Sequence, residues 1–252
     1  MTLPLPVTDA TARPVPRARV ALLLTLLAAC AGPRAVTPDG PVTLLPDPGA
    51  DTGWSAATTS GRDRVHATWT RTADGGLQLT DTAGHTDQEF NVTWSPAVAL
   101  ADVDLTVRLQ AVDGDEDRGG GPVWRLTGPD DYYVARWNPL ENNLRAYVVE
   151  DGYRRELASA TVYVSPRAWH ELRVRMVGES ITCWLDGHEQ LSVRDDDLAG
   201  PGAVGLWTKA DARTRFTDLV VGPADGTPPG VTAQRAPRSS SRARPMASPI
   251  RR

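Results

Sequence analysis

The chain has 252 residues, of which 40% are hydrophobic and 23% charged. That is enough for one sizeable globular domain plus tails. The formal net charge of −4 gives no general attraction to nucleic acid, so none is expected as a partner. Two cysteines exclude a disulfide framework, and eight tryptophans beside two phenylalanines put much of the aromatic area into side chains that also carry an N–H donor.

Arg13, Arg17 and Arg19 precede an apolar run from Val20 to Ala29 that is too short to span a bilayer. This reads as a secretory signal over residues 1–29. The run ends in Leu27-Ala28-Ala29-Cys30, which resembles a bacterial lipobox. The alternative is ordinary signal cleavage near the same place. Lipidation at Cys30 would hold the chain on the cell envelope through acyl chains, with the membrane as a partner and no spanning helix. Residues 30–50 are rich in Pro and Gly and read as a tether. The folded domain is expected over 51–222, and the Pro, Ser and Arg-rich stretch 223–252 as a disordered basic tail.

Between these ends the pattern is of strands. In Val103–Leu109, Val103, Leu105, Val107 and Leu109 alternate with Asp104, Thr106 and Arg108. Leu172, Val174 and Met176 alternate with Arg173 and Arg175. "LRAYVV" (144–149) and "ITCWLDG" (181–187) behave alike. Period two marks half-buried strands, and turn signals such as "GPDD" (128–131), "EDG" (150–152) and "DG" (186–187) separate them. The expectation is an all-β, monomeric domain: a jelly-roll sandwich of two antiparallel sheets. Cys183, alternating with Ile181 and Leu185, reads as a buried thiol.

Several stretches carry candidate chemistry. "DGDEDRG" (113–119) spaces Asp113, Asp115 and Asp117 like the first half of a calcium loop. Arg118 stands where glycine is needed and no Glu follows at the twelfth place. Calcium is therefore the minor alternative to a solvated acidic hairpin tip, and no other cofactor is expected. His66, His85, His170 and His188 lack zinc spacing. "VWRL" places Trp124 and Arg125 on opposite faces, and alternation sets Arg136 on the face predicted for Arg125. An arginine pair there would bind hydroxyls or an anion; the alternative is a cross-strand ion pair with Glu141 or Asp211. In "RWNPLENN", Asn138, Glu141, Asn142 and Asn143 crowd a short loop. One reading is the rim of a sugar cleft with Glu141 as acid or base. The other is a turn in which Asn tolerates left-handed angles. Lys209, in "GLWTKAD", is the one lysine of the chain and stands beside Trp207 and Asp211 at a strand end.

The segment Trp169–Leu191 resembles the strand–turn–strand core of laminin-G and concanavalin A-like sandwiches. "GGGPVWRL" (119–126), residues 131–160 and residues 202–221 resemble the bacterial secreted 3-keto-disaccharide hydrolase-like family, related in fold to family 16 glycoside hydrolases. That resemblance implies a concanavalin A-like sandwich that binds a carbohydrate and acts on 3-keto-disaccharides or related glycosides, with a tethered, non-catalytic lectin-like module as the alternative. Glu141 or Asp211 would be the acid or base. Lys209 would stabilise developing negative charge. Trp124, Arg125, Arg136, Asn138, Asn142, Asn143 and Trp207 would bind substrate. Two departures stand against a simple transfer: no Glu-x-Asp-x-x-Glu strand supplies a pair of carboxyls about 5 Å apart, and Phe216-Thr217-Asp218 replaces the family's aromatic-Asp-Asp ending.

Overall fold

The computed structural model describes residues 35–45, 53–59, 66–82, 84–86 and 88–224. Fifteen strands follow in chain order: β1 (Val42–Thr43), β2 (Ser55–Thr59), β3 (Thr68–Arg71), β4 (Leu77–Asp81), β5 (Phe90–Leu100), β6 (Val103–Asp113), β7 (Gly121–Gly128), β8 (Asp131–Asn138), β9 (Asn143–Glu150), β10 (Tyr153–Thr161), β11 (His170–Val177), β12 (Ser180–Leu185), β13 (His188–Arg194), β14 (Gly202–Lys209) and β15 (Arg213–Pro223). No helix occurs among the described residues. One sheet runs β13-β12-β11-β6-β15-β4-β3 with β1 added on β15, and the other runs β10-β9-β8-β7-β14-β5-β2. Neighbouring strands in both are antiparallel, so the chain is the expected two-sheet jelly-roll sandwich.

The hairpins follow from turn chemistry. Asp151-Gly152 and Asp186-Gly187 place both central residues at positive φ, the type I′ pair whose twist suits adjacent antiparallel strands. Between the sheets, Val103, Leu105, Val107, Leu109, Leu172, Val174 and Met176 meet Trp124, Tyr133, Trp137, Leu144 and Leu206. Cys183 lies in this core, and burial pushes its thiol pKa up, as a small hydrophobe requires. The seven-stranded sheet departs from the half-buried pattern. On its outer face Val92, Val123, Tyr132, Val134, Tyr147, Val149 and Trp207 are buried too, so β7, β8, β9 and β14 are apolar on both sides.

The tether expected over 30–50 is corrected in its described part. Val42 and Thr43 pair with Val221 and Val220, and Leu44 and Leu45 are buried in the core. The apolar run "VTLL" wins against the Pro and Gly around it because a strand edge on β15 and a core position are both within reach. The signal segment expected over 1–29, the lipidation expected at Cys30 and the tail expected beyond residue 224 fall outside the described residues.

Candidate functional site

The site is built at one end of the outer face of the seven-stranded sheet, where β8 turns into β9. Pro139 stops β8 by removing a donor. The Asn138 side-chain oxygen accepts from the Leu140 and Glu141 amides at 2.8 and 3.3 Å, an Asx turn. Asn142 is exposed, takes φ 54° and gives its carbonyl to the Val162 amide at 2.8 Å. Asn142 therefore serves the turn. Asn138 serves both purposes, since its amide also donates to Asp117 Oδ1 at 2.9 Å.

Asp117 reaches this point because a second loop is clamped there. Asp211 accepts the backbone amides of Asp115, Glu116 and Asp117 at 2.7, 3.1 and 2.9 Å. Beyond Asp117 the chain must press against β8: a Cβ on Gly119 would stand 2.2 Å from the Trp137 carbonyl, and one on Gly121 would stand 1.8 Å from that of Ala135. Only glycine permits such approach. Asp117 is thereby 2% exposed.

Around it the charges interlock. Arg136, 1% exposed, meets Asp117 Oδ2 at 3.2 Å and Glu141 Oε2 at 2.8 Å. Asn143 donates to the same Glu141 oxygen at 2.8 Å. Arg136 and Arg145 are direct cross-strand partners, a like-charge pair that would repel. Glu141 offsets it by also meeting Arg145 at 3.2 Å. Lys209 Nζ lies 3.7 Å from Asp117 Oδ2.

These partners separate the three carboxyls. Burial pushes the Asp117 carboxyl above the usual range, against the pull of Arg136 and Lys209. Burial acts in the same sense on Glu141, but the Asn143 amide, Arg136 and Arg145 outweigh it and hold that carboxyl low. Asp211 also ends below the ordinary value, because its three backbone donors overcome burial. Asp211 is thus a clamp for the loop and a poor proton donor. Its folded value lies below the unfolded one, so its stabilisation is complete above about pH 4 and is lost as pH falls through the folded value. Asp211→Asn should therefore cost roughly 1–3 kcal/mol at pH 7, a deficit that shrinks below about pH 4. Urea unfolding at a series of pH values checks this, and a deficit independent of pH would refute it.

The structure brings together Glu141, Lys209, Arg136, Asn138 and Asn143, with Asp211 one step behind, and separates the other expected residues. Trp124 is fully buried between the sheets, stacked on Tyr133 at 5.7 Å, with its N–H on Met176 Sδ at 3.1 Å. It is a core residue. Arg125 does not share a site with Arg136. The β7–β8 pairing shifts register after Trp124, Arg125 takes φ 48°, and its guanidinium donates to the carbonyls of Ala101, Gly178 and Leu198 at 2.7, 2.6 and 2.9 Å. Trp207 does lie on the outer face but is fully buried, with its N–H on the Tyr132 hydroxyl at 3.0 Å, so it is a floor and not a stacking surface. The three aspartates whose spacing made calcium the minor alternative lie apart: Asp113 pairs with Arg213, Asp115 faces solvent beside Arg118, and Asp117 belongs to the cluster above. No group of three or more metal-ligating side chains occurs among the described residues.

Sequence reasoning missed Asp117 as the centre, and missed Phe90, Arg145, Tyr147 and Arg154. Phe90 and Trp207 pack with ring centroids 5.3 Å apart, and the Arg154 guanidinium lies 4.4 Å from the Tyr147 ring centre. Carrying the alternation of β8 across to β9 and β10 would have placed Arg145, Tyr147 and Arg154 on Arg136's face.

No protein-family model matches the chain, and no curated protein does. Among solved structures it is similar to the carbohydrate-binding module CBM66 from Bacillus subtilis, with 18% identity over 68% of this chain and 95% of that one and a TM-score of 0.55. A prokaryotic β-1,3-1,4-glucanase (lichenase) derived from a mouse hindgut metagenome shares 14% identity over 73% and 99%, with a TM-score of 0.52. The β-glucanase of Bacillus licheniformis shares 12% over 74% and 99%, with a TM-score of 0.51. At these identities the likeness is one of fold.

Proposed function

We propose that the protein binds a carbohydrate at the charged end of the outer face, where Lys209, Glu141 and Arg145 surround buried Asp117 and Arg136. The observation that carries this reading is the placement of the chain's one lysine. Its ammonium is set on a buried carboxylate by a loop clamp, and 15% of its side chain is left exposed. Glu141 beside it is 43% exposed, so a donor and an acceptor face solvent together, as paired sugar hydroxyls require. The likeness in fold to a module named for carbohydrate binding and to two glucanases supports the ligand class.

A second reading, cleavage of a 3-keto-disaccharide, rests on the resemblance of "RWNPLENN" and "GLWTKAD" and is favoured by Glu141, the carboxylate of the cluster that faces solvent, 43% exposed. As the base it would take the proton between the ketone and the anomeric carbon. The released electron pair forms the enolate, whose charge the Lys209 ammonium offsets. The enolate then expels the glycosidic oxygen, which takes the proton held by the base and leaves as the alcohol, and water adds to the resulting enone. Asp211, committed to the loop, has no part.

Both readings are tested together. The full chain should bind oligosaccharides in calorimetry, and Lys209→Met should weaken that binding about tenfold or more, with Lys209→Arg falling between. If no saccharide binds, the proposal fails. If a 3-keto-disaccharide is bound but no monosaccharide is released at any pH between 5 and 9, only the cleavage reading fails.

A further inference from the structure

Resting on that reading, one side chain on the same face narrows the ligand class. Arg154 stands on β10 opposite Val149, which is itself opposite Tyr132, so its side chain belongs to the outer face. Its guanidinium carbon lies 4.4, 5.2 and 5.8 Å from the ring centres of Tyr147, Phe90 and Trp207. Three rings from three strands thus hold one half-buried cation by its π contacts.

Unlike its neighbours, Arg154 makes no hydrogen bond or ion pair among the described residues, and its Nη1 is buried without a partner. Arg136 is matched by Asp117 and Glu141, Arg145 by Glu141 and Glu156, and Lys209 by Asp117. Burial lowers the Arg154 pKa, Arg136 adds to the effect and Asp117 opposes it without reaching ion-pair distance, yet a guanidinium stays charged in proteins. Burying a charge with no counter-ion in contact is costly. A fold that keeps one, next to an otherwise neutralised cluster, leaves a standing attraction for an anion. The aromatic floor strengthens it by excluding water from one side of the guanidinium. A guanidinium is a planar fork that matches a carboxylate through paired hydrogen bonds.

We propose that Arg154 receives a carboxylate of the saccharide, so that the ligand is an acidic, uronate-containing oligosaccharide, with its hydroxyls on Glu141 and Lys209 and its carboxylate over the aromatic floor. A sugar hydroxyl alone would leave the guanidinium charge unmatched, whereas a uronate supplies both kinds of group on one ring.

The test uses the full chain and calorimetric titration with short oligomers of galacturonate, glucuronate, mannuronate and guluronate, each also as its neutral methyl ester, and with neutral gluco-oligosaccharides. At least one acidic oligomer should bind ten- to a hundredfold more tightly than its ester. Arg154→Gln should remove that preference and bring acid and ester to similar affinity, with circular dichroism confirming the fold. Arg154→Lys, which keeps the charge and loses the fork, should retain part of it. Binding that falls with added salt for the acid and not for the ester would agree. Equal binding of acid and ester, a preference that survives Arg154→Gln, or no acidic oligomer bound would overturn the inference. Neutral oligosaccharides bound in a Lys209-dependent way, with no preference for acids, would overturn it while leaving the carbohydrate reading standing. If no saccharide binds at all, both fall.

Discussion

Replacing Arg136 by methionine is expected to lower the unfolding free energy by about 3–5 kcal/mol. The side chain itself is not what costs most. Methionine fills much of the same volume, and a buried ion pair exchanged whole for apolar residues is often neutral. The cost arises because Asp117, 2% exposed, stays behind. It retains the Asn138 amide and its neighbour's backbone N–H at 2.9 Å each, and Lys209 at 3.7 Å, but loses the guanidinium that faces it at 3.2 Å. Chemical denaturation should show a lower midpoint at unchanged slope. The double variant Arg136→Met, Asp117→Asn should recover part of the loss, because the stranded charge is gone. That non-additivity is the distinguishing result. A single-variant loss under about 1 kcal/mol would mean that Lys209 and the two remaining N–H donors satisfy Asp117.

Trp124→Ala should cost a comparable 3–5 kcal/mol, roughly the range for emptying a large aromatic site, and should do so without altering saccharide affinity in the molecules that remain folded. The indole is fully enclosed and pairs with Tyr133, whose hydroxyl donates to Asp195 at 2.7 Å. The cavity would therefore open in the layer that joins the two sheets. Unfolding and binding measured on the same preparation separate the outcomes. A variant that folds normally yet binds no sugar would place Trp124 at a surface after all.

Strands exposed on one face were legible in the sequence: β6, β11 and β12 alternate cleanly because water lies on one side and Leu, Val and Met on the other. β7, β8, β9 and β14 were legible as strands but not by function, because apolar side chains occupy both faces. There, parity decides which tryptophan is core, and parity is fragile. The register shift after Trp124 turns Arg125 away from Arg136, and no local residue type announces it. Asp117 was hidden differently. Its spacing from Asp113 and Asp115 suggests a metal loop, while its real partners come from β8 and from the turn after β14. The clamp that delivers it, Asp211, lies 94 positions along the chain. Glu141, Asn138 and Lys209 could be named in advance because the hairpin brings the first two together locally and the third is unlike every other cation in the sequence.

That rarity has a practical side. Apart from the α-amino group, Lys209 is the chain's single primary amine, and its ammonium is held on a buried carboxylate. Lysine-directed acylating reagents, amine-coupled fluorophores and cross-linkers therefore have one side-chain address in the whole molecule, and that address lies in the charged cluster with Asp117 and Arg136. Saccharide binding there, as proposed, would be readable as protection of a single amine, with no need to engineer a label.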